Sequence, residues 1–376
     1  MVLIGTASLP GARYGKLNQD YVLVEEMYSA KQLKSLKVDQ CYIAAVLDGH
    51  GMLGEEASRQ AGRAIVSALR HCAALQRAPL ASLPDAVVDR AFVEAFEAGH
   101  RAALGVAAHA PSVYTYPQGG RGAHTFVLKT LGHERAYIDP GLNVRVLEYG
   151  TTATVALVQG RGVAVANVGD SLATLGSEQG GAYHVRLLTR RHWGGDAGER
   201  ARLERDVGKL VRLEDEDGYL TVNEGRLSGY QLAMTRALGH AVLSQYGVIP
   251  RPSVQRHTLS RDDLCLILAS DGVWETCSPS EAVVGLCDLL AQGQSVPEAA
   301  LELARSAVEL STAASPDFGA DNTTVAVFVF DDILEDDGAD DAAEAAEASA
   351  AGGVYTQLGL ASHDTAALLA APIASS

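Results

Sequence analysis

Short runs of apolar and β-branched residues recur along this chain and predict buried β-strands. The runs are Val2–Ser8, Tyr21–Glu25, Cys41–Leu47, Thr151–Val158, Val163–Val168, His184–Thr189, Leu264–Ala269 and Thr323–Phe330. Runs of this length, bounded by Gly, Asp or Asn, are typical of strands. Gln159-Gly160-Arg161-Gly162 separates two of them and predicts a hairpin. A shorter hairpin is predicted within Leu210–Val222.

Apolar residues spaced by three and four predict the helices between these strands. The predicted helices run from Gly54 to about Leu75, from Pro84 to near Ala108, from Pro279 to Ala291 and from Val296 to Ser311. Ser278-Pro279-Ser280-Glu281 is a capping box with Pro at the first helical position. Asp196–Arg205 is so rich in charge that we predict an exposed helix there.

Two segments lack this periodicity. Pro111–Val146 is rich in Gly, Pro, Tyr and His, and we interpret it as a loop-like insertion within a domain that spans residues 1–330. Asp331–Ser376 contains ten acidic residues and no Lys or Arg, and its Ala/Gly-rich composition predicts a disordered tail.

Charge and composition make several classes of protein unexpected. The net charge is −16 and no basic patch stands out, so nucleic acid is an unexpected partner. The five cysteines are scattered without a Cys-x-x-Cys pair, as expected for reduced core thiols inside the cell. No apolar run reaches membrane-spanning length and no signal peptide is recognisable. We therefore expect a cytoplasmic or nuclear protein that does not bind membranes.

Acidic residues stand at the ends of several predicted strands. They are Asp48, Asp170, Asp271 and Asp321, each followed or preceded by a Gly, Asn or Ser that permits a tight turn. If these carboxylates converge at one end of a sheet pair, they repel each other unless cations neutralise them. Oxygen ligands favour Mg²⁺ or Mn²⁺, and two such ions can activate water against a phosphoryl group. The same residues are compatible with a Ca²⁺-stabilised β protein without catalysis.

Seven motifs taken in order resemble the PP2C (PPM-type) protein serine/threonine phosphatases. The motifs are Asn18-Gln19-Asp20, Asp48-Gly49-His50-Gly51, Gly150-Thr151-Thr152-Ala153, Asn167-Val168-Gly169-Asp170-Ser171, Met234-Thr235-Arg236-Ala237-Leu238-Gly239, Ala269-Ser270-Asp271-Gly272-Val273-Trp274 and Asp321-Asn322-Thr323-Thr324-Val325. The resemblance implies an α+β fold in which two packed antiparallel β-sheets are flanked by helices. It also implies two Mn²⁺ or Mg²⁺ ions, phosphorylated protein substrates and a monomer.

The resemblance assigns roles to individual residues of the predicted site. It implies that Asp48 bridges the two metals and that Gly49 offers its carbonyl to one of them, with Asp271 and Asp321 as further ligands. It makes His50 the candidate general acid for the leaving oxygen. It further implies that Arg13 (or Lys16) binds the phosphate, that Asp20 lies beside the second metal, and that Asp170 supports the site.

Two departures from the family pattern bear on the expected activity. Gln19 and His240 stand where the family has acidic residues. Either residue can still ligate a metal, but each removes a carboxylate. For His240 the alternative is a buried neutral histidine bonded to the backbone. Met52, which replaces a second glycine, is expected to be harmless. The alternatives to a protein phosphatase are a pseudophosphatase that acts as a binding or regulatory module and a metal-dependent hydrolase of a small phosphate ester or phosphodiester.

Overall fold

Two antiparallel sheets form the centre of the computed structural model, which describes residues 2–14, 16–117, 123–131, 134–141, 145–146, 148–213, 218–225, 227–330 and 356–357. In spatial order, the six-stranded sheet contains β1 (Val2–Leu9), β20 (Thr323–Phe330), β19 (Asp263–Ala269), β12 (Leu172–Gln179), β13 (Ala182–Leu187) and β21 (Thr356–Gln357). The five-stranded sheet contains β18 (Ser253–Thr258), β11 (Gly162–Val168), β10 (Ala153–Gln159), β3 (Cys41–Leu47) and β2 (Tyr21–Glu26).

Helices cover the outer face of each sheet. The helices are α1 (Ala30–Leu36), α2 (Gly54–Arg70), α3 (Ala73–Arg77), α4 (Asp85–Gly105), α5 (Ala197–Asp206), α6 (Asp271–Trp274), α7 (Pro279–Ala291) and α8 (Val296–Ala314). Helices α2 and α4 pack on the five-stranded sheet, and α7 and α8 pack on the six-stranded sheet. The predicted α+β sandwich of two helix-flanked sheets is therefore confirmed.

The continuous apolar runs of the sequence are explained by burial of both strand faces. In β3, Ile43, Ala45 and Leu47 face α2 and α4, whereas Ala44 and Val46 join the core between the sheets. The same two-residue alternation divides β19 and β20 between the inter-sheet core and the core under α7 and α8. Because both faces are covered, polar residues first appear where these strands end.

Within residues 111–146, the described part forms strands, so the interpretation of this segment as a loop-like insertion was wrong. The segment contains β5 (Val113–Pro117), β6 (Ala123–Leu131), β7 (Glu134–Ile138) and β8 (Arg145–Val146), which pair in that order as an antiparallel sheet. Tyr114 and Tyr137 of this sheet are buried against the helices of the five-stranded side. The aromatic residues that obscured the strand alternation are thus part of the core.

Two small three-stranded sheets complete the described architecture. One contains β14 (Val211–Leu213), β15 (Leu220–Val222) and β16 (Gln231–Leu232), in agreement with the predicted short hairpin. The other contains β17 (Leu238–Gly239), β9 (Tyr149–Thr151) and β4 (Gly49–Gly51). The second of these sheets joins three of the sequence motifs and lies at the candidate site.

Helix α5 is exposed over most of its length, as predicted, but it buries Glu199, Arg202 and Leu203 on one face. The charged side chains of Glu199 and Arg202 form an ion pair there. The predicted disordered tail, Asp331–Ser376, lies outside the described residues except for Thr356–Gln357, which pair with β13.

Among the described residues, none of the helices has the length and apolar character that crossing a bilayer requires.

Candidate metal and phosphate site

The acids at the edge of the five-stranded sheet are brought together by strand register. Tyr21 of β2 pairs with Leu47 of β3. Asp20 precedes the first of these residues and Asp48 follows the second, so their backbones leave the sheet at the same end. The antiparallel register therefore places two acids from distant motifs side by side.

The six-stranded sheet contributes acids to the same edge. Strand β19 ends at Ala269, which pairs with Leu172 of β12. Asp271 lies two residues after Ala269, and Asp170 lies two residues before Leu172. Strand β20 runs antiparallel to β19 and begins just after Asp321. The charges of Asp170 and Asp321 both act on Asp271, so these strand-end acids lie close together.

Ser270 ties the two sheets together at this edge. Its hydroxyl donates to Oδ2 of Asp20 at 2.8 Å and accepts from the backbone N–H of Thr324 at 3.0 Å. Asp20 belongs to the five-stranded sheet, whereas Ser270 and Thr324 belong to the six-stranded sheet. Ser270 therefore links the two sheets by hydrogen bonds at this edge.

The clustered carboxyls resist ionisation. Burial, with the charge of Asp321, raises the pKa of Asp20 to about 7. Burial, followed by the charges of Asp271 and Asp20, raises the pKa of Asp48 well above its usual value. Burial also raises the pKa of Asp271, to which the charge of Asp170 contributes next. Such a cluster is fully charged at neutral pH only if a cation is bound.

The donor atoms at this edge fit a hard divalent cation. Oδ1 of Asp20 and Oδ1 of Asp170 are buried and have no hydrogen-bond partner among the described residues. Buried acceptors are nearly always paired, so two unpaired carboxylate oxygens in an acidic cluster suit Mg²⁺ or Mn²⁺. Within the part of the chain that the structure describes, no three or more His, Cys, Asp or Glu side chains are already arranged as a metal site. Binding would therefore require side-chain adjustment.

Arg13 is the candidate phosphate-binding cation that contacts the cluster. Its Nη1 atom donates to Oδ2 of Asp321, and 31% of the Arg13 side chain remains exposed. Asn322 holds the loop that carries Arg13, because its amide donates to the carbonyls of Pro10 and Leu17. Lys16, the alternative in the sequence, is exposed and forms no ion pair with another described residue.

Gln19 holds the backbone around the Asp-Gly-His-Gly motif. Its Nε2 atom donates to the carbonyl of Gly51 at 2.8 Å and to Oε2 of Glu55 at 3.2 Å. The backbone carbonyl of Gln19 accepts from the N–H of Gly49 at 3.1 Å. A Cβ at Gly49 would overlap the carbonyl oxygens of Gln19 and Gly54, so only glycine allows this approach. A metal-ligand role for Gln19 stays a prediction.

Two histidines meet across the small sheet of β4, β9 and β17. His50 and Gly239 both pair with Gly150, which lies on the central strand. A Cβ at Gly150 would overlap the ring of His240, so this glycine gives the ring its space. The rings of His50 and His240 stack with their centroids 4.8 Å apart.

Both ring nitrogens of His240 contact side chains rather than the backbone. Nδ1 lies 3.3 Å from Oε2 of Glu148, and Nε2 lies 2.6 Å from Nε2 of His50. Burial and then the neighbouring His240 lower the pKa of His50 to about 3. His240 therefore fits neither a free ligand nor a backbone-bonded core histidine, and its role as a metal ligand stays a prediction.

Sequence motifs did not reveal three charged residues near the site. Glu148 contacts His240, and the charge of Arg191 opposes the raised pKa of Asp170. Burial raises the pKa of Glu275, and the charge of Arg13 opposes this increase. Glu148 and Glu275 are single charged residues beside motifs, and Arg191 is adjacent to none, so nothing in their spacing distinguishes them from surface positions before the fold is known.

A family model and curated relatives match this chain. The model "Protein phosphatase 2C" matches residues 130–315. "Probable protein phosphatase 2C 12" of Oryza sativa subsp. japonica is 39% identical over 139 residues, which are 37% of this chain and 36% of the relative. "Probable protein phosphatase 2C 61" of Arabidopsis thaliana is 39% identical over 133 residues, 35% of this chain and 41% of the relative. The chain thus spans less than half the length of these relatives.

Solved structures share the fold over most of the chain. The serine-threonine phosphatase 2C from Toxoplasma gondii matches with a TM-score of 0.63 and 19% identity, covering 87% of this chain and 94% of that one. A C. elegans sex determining protein matches with a TM-score of 0.57 and 20% identity, covering 87% and 64%. The family match, the relatives and the shared fold together support a PP2C-type phosphatase, in line with the resemblance of the sequence motifs.

Proposed function

We propose that this chain is a metal-dependent protein phosphatase that hydrolyses phosphoserine or phosphothreonine. The observation that carries the proposal is the convergence of Asp20, Asp48, Asp271 and Asp321 at one sheet edge, with the buried Oδ1 of Asp20 left without a partner. Names of the curated relatives support a phosphatase, and metal dependence is a general property of the family.

The proposed site holds two Mn²⁺ or Mg²⁺ ions. Asp48 would bridge them, with the Gly49 carbonyl, Asp271 and Asp321 as further ligands and Asp20 at the second position. When bound, such ions neutralise phosphoryl charge and activate water for attack on phosphorus. Asp170 would support this arrangement from the adjoining loop.

The remaining residues would bind the phosphate and release the product. The partly exposed guanidinium of Arg13 is suited to a phosphate, since its planar donors match phosphate oxygens. On substrate binding it would exchange part of its contact with Asp321 for the substrate. His50 would give a proton to the serine or threonine oxygen as the ester bond breaks, a role that requires substrate binding to raise its pKa from about 3.

A direct assay tests the proposal. The purified chain should release phosphate from a phosphothreonine peptide when Mn²⁺ or Mg²⁺ is added and should stop when EDTA is added. Asp89→Asn, on the exposed face of α4, is a matched control that should retain the activity. Absence of turnover by folded protein in Mn²⁺, Mg²⁺ and Fe²⁺ would overturn the proposal.

The second candidate function is a pseudophosphatase that uses the fold for binding. It is favoured by Gln19 and His240, whose side-chain nitrogens contact protein groups where the family has carboxylates. Titration calorimetry with Mn²⁺ separates the two. Saturable binding that Asp48→Asn abolishes supports the enzyme, whereas no binding by folded protein supports the binding module.

A further inference from the structure

An arginine that forms no ion pair with another described residue lies beside the strand-end acids. The side chain of this residue, Arg191, is exposed. We propose that Arg191 determines specificity by binding the carboxylate of an acidic residue next to the phosphorylated serine or threonine of the substrate. The proposal rests on the proposed function, in which a phosphorylated protein binds at the strand-end acids.

The loop that carries Arg191 is hydrogen-bonded to the Gly-Asp motif that follows β11. The N–H of His192 donates to the carbonyl of Gly169 at 2.9 Å. On the other side of Arg191, the amide of Asn167 donates to the carbonyl of Arg190 at 2.8 Å, and its oxygen accepts from the N–H of Arg190 at 3.3 Å. The backbone on both sides of Arg191 is therefore held against the turn that carries one of the acids.

Arg191 lies at the margin of the acids rather than among the proposed metal ligands. Burial raises the pKa values of Asp170 and Glu275, and the positive charge of Arg191 opposes both increases. The main charges that act on Asp48 and Asp271 are instead those of other acids. The guanidinium of Arg191 is thus placed for a group that lies beside the phosphoryl group.

The indole ring of Trp193 supports the guanidinium of Arg191. The Cζ atom of Arg191 lies 4.5 Å from the centroid of this ring, in a cation–π contact. Two glycines close around the ring, since a Cβ at Gly195 or Gly218 would lie only 2.4 or 2.5 Å from its atoms. Stacking uses a face of the guanidinium, so the N–H donors on its edge stay available for an anion.

The neighbouring arginine provides a comparison within the same loop. Nε and Nη2 of Arg190 donate to the two carboxylate oxygens of Asp196, at 2.8 and 2.9 Å. Arg191 carries the same donors, but none of them has a carboxylate acceptor among the described residues. Arg191 is therefore the arginine of this pair that has an anion-binding capacity to offer a substrate.

A carboxylate next to the phosphorylated residue fits this position. An extended peptide advances about 3.3 Å per residue, so the side chains that flank the phosphorylated residue lie several ångströms from it. The guanidinium edge can donate two parallel hydrogen bonds to a carboxylate. Because the net charge of the chain is −16, its overall field favours basic peptides, and a preference for acidic ones requires a local cation.

Peptides that differ only beside the phosphothreonine test the proposal. With Mn²⁺ and the full chain, kcat/KM should be about fivefold higher for a peptide with flanking Asp residues than for its Ala counterpart. Arg191→Ala should remove this preference, mainly by raising KM for the acidic peptide, and should change the rate on the Ala peptide less than about twofold. Arg190→Ala is the matched control and should keep the preference, because that guanidinium is already paired.

Reversing the charge should reverse the preference. Arg191→Glu should favour a peptide with flanking Lys residues over the acidic one by about fivefold. Arg305→Glu makes the same change in net charge on the exposed surface of α8 and should leave the order of the peptides unchanged. If Arg191→Ala loses equal activity on every peptide and on p-nitrophenyl phosphate, Arg191 binds the phosphoryl group itself and the proposal is wrong.

A binding measurement separates this proposal from the proposed function. Peptides that carry a phosphonate in place of the phosphate cannot be hydrolysed, and fluorescence anisotropy with Mn²⁺ measures their affinities. If the chain hydrolyses no peptide but binds the acidic phosphonate more tightly, and Arg191→Ala loses that difference, the proposed function fails while the role of Arg191 is supported. If folded wild-type protein binds the acidic and Ala phosphonates equally, or binds neither, the role of Arg191 is refuted.

Discussion

Buried carboxylates occupy two opposite settings in this molecule. At the acidic edge between the sheets, defined by Asp20, Asp48, Asp170, Asp271 and Asp321, burial and mutual charge raise the pKa values. Under helix α5, burial works against ionisation of Glu199, but hydrogen bonds from Arg236, Thr235 and Arg202 outweigh it. They lower the pKa of Glu199 to about 2.

The difference between the two settings indicates which one is structural. Glu199 accepts from Arg202 at 2.9 Å, from Thr235 at 2.7 Å and from Arg236 at 2.5 Å, so its counter-charges are built into the chain. At the acidic edge, Arg13 contacts Asp321 and the charge of Arg191 acts on Asp170, but the pKa values of both acids stay raised. A buried acid with its own cations holds a fold together, whereas acids short of cations indicate a site for a ligand that brings them.

The largest expected effect comes from removing the central acid of the edge. Asp48→Asn should lower phosphatase activity by about 10³-fold or more, because a bridging carboxylate can no longer hold both ions. The measurement is phosphate release from a phosphothreonine peptide with saturating Mn²⁺. Circular dichroism should show an intact fold, since the substitution removes a charge from a repulsive cluster. Retention of more than a tenth of the activity would contradict the assignment.

Loss of Glu199 from its cluster with arginines should lower the free energy of unfolding rather than the activity. Glu199→Ala leaves the buried Arg202 and the partly buried Arg236 without their carboxylate, so we expect a loss of about 3–5 kcal/mol of unfolding free energy. Urea denaturation followed by fluorescence measures it. Glu302→Ala, which removes an exposed ion pair with Arg305 on α8, is the matched control and should cost less than about 1 kcal/mol.

The pH dependence of stability should distinguish the two settings in one experiment. Asp20 has a pKa of about 7 in the folded chain and about 4 when unfolded. The folded state therefore holds the extra proton, and metal-free stability should fall as pH rises from about 4 to about 7. Glu199, with its lowered pKa, contributes stability that is present above about pH 4.5 and is lost only in stronger acid.

Adding Mn²⁺ should remove the loss of stability with rising pH that is expected from Asp20. Mn²⁺ bound to the carboxylates favours their charged forms, so at neutral pH a concentration 100-fold above Kd should add about 2.7 kcal/mol of stability. Thermal melts with and without Mn²⁺ at pH 5 and pH 7.5 measure this. A stabilisation that is equal at both pH values would show that Mn²⁺ does not bind the acidic edge.

The acidic edge could be predicted from the sequence because strands that are buried on both faces end abruptly. An apolar run such as Cys41–Leu47 tolerates no polar residue, so Asp48 stands out as its first polar position. The same reasoning found Asp271 after β19 and Asp321 before β20. Antiparallel register then brings the strand ends together, which hydrophobic patterning alone can suggest.

Other parts of the fold depend on pairs that leave no local pattern. Glu199 and Arg202 look like a solvated helix face until Arg236, far along the chain, is seen to cover them. Glu148 likewise carries no signal, since its contact with His240 spans 92 positions. The strands of residues 113–146 were missed because Tyr and Pro residues interrupt the alternation by which strands are recognised.

The smallest effect should come from neutralising one peripheral acid of the edge. Asp20→Asn keeps an oxygen that can accept from Ser270 and removes a charge that burial disfavours. At neutral pH we therefore expect the metal-free protein to gain about 1 kcal/mol, a rise of roughly 1–2 °C in Tm for a domain of this size. Glu199→Gln, an equally conservative change in the cation-rich setting, should lower Tm instead. If both substitutions destabilise the metal-free protein, the acidic edge is held by its carboxylates in the same way as the Glu199 cluster, and the contrast between the two settings fails.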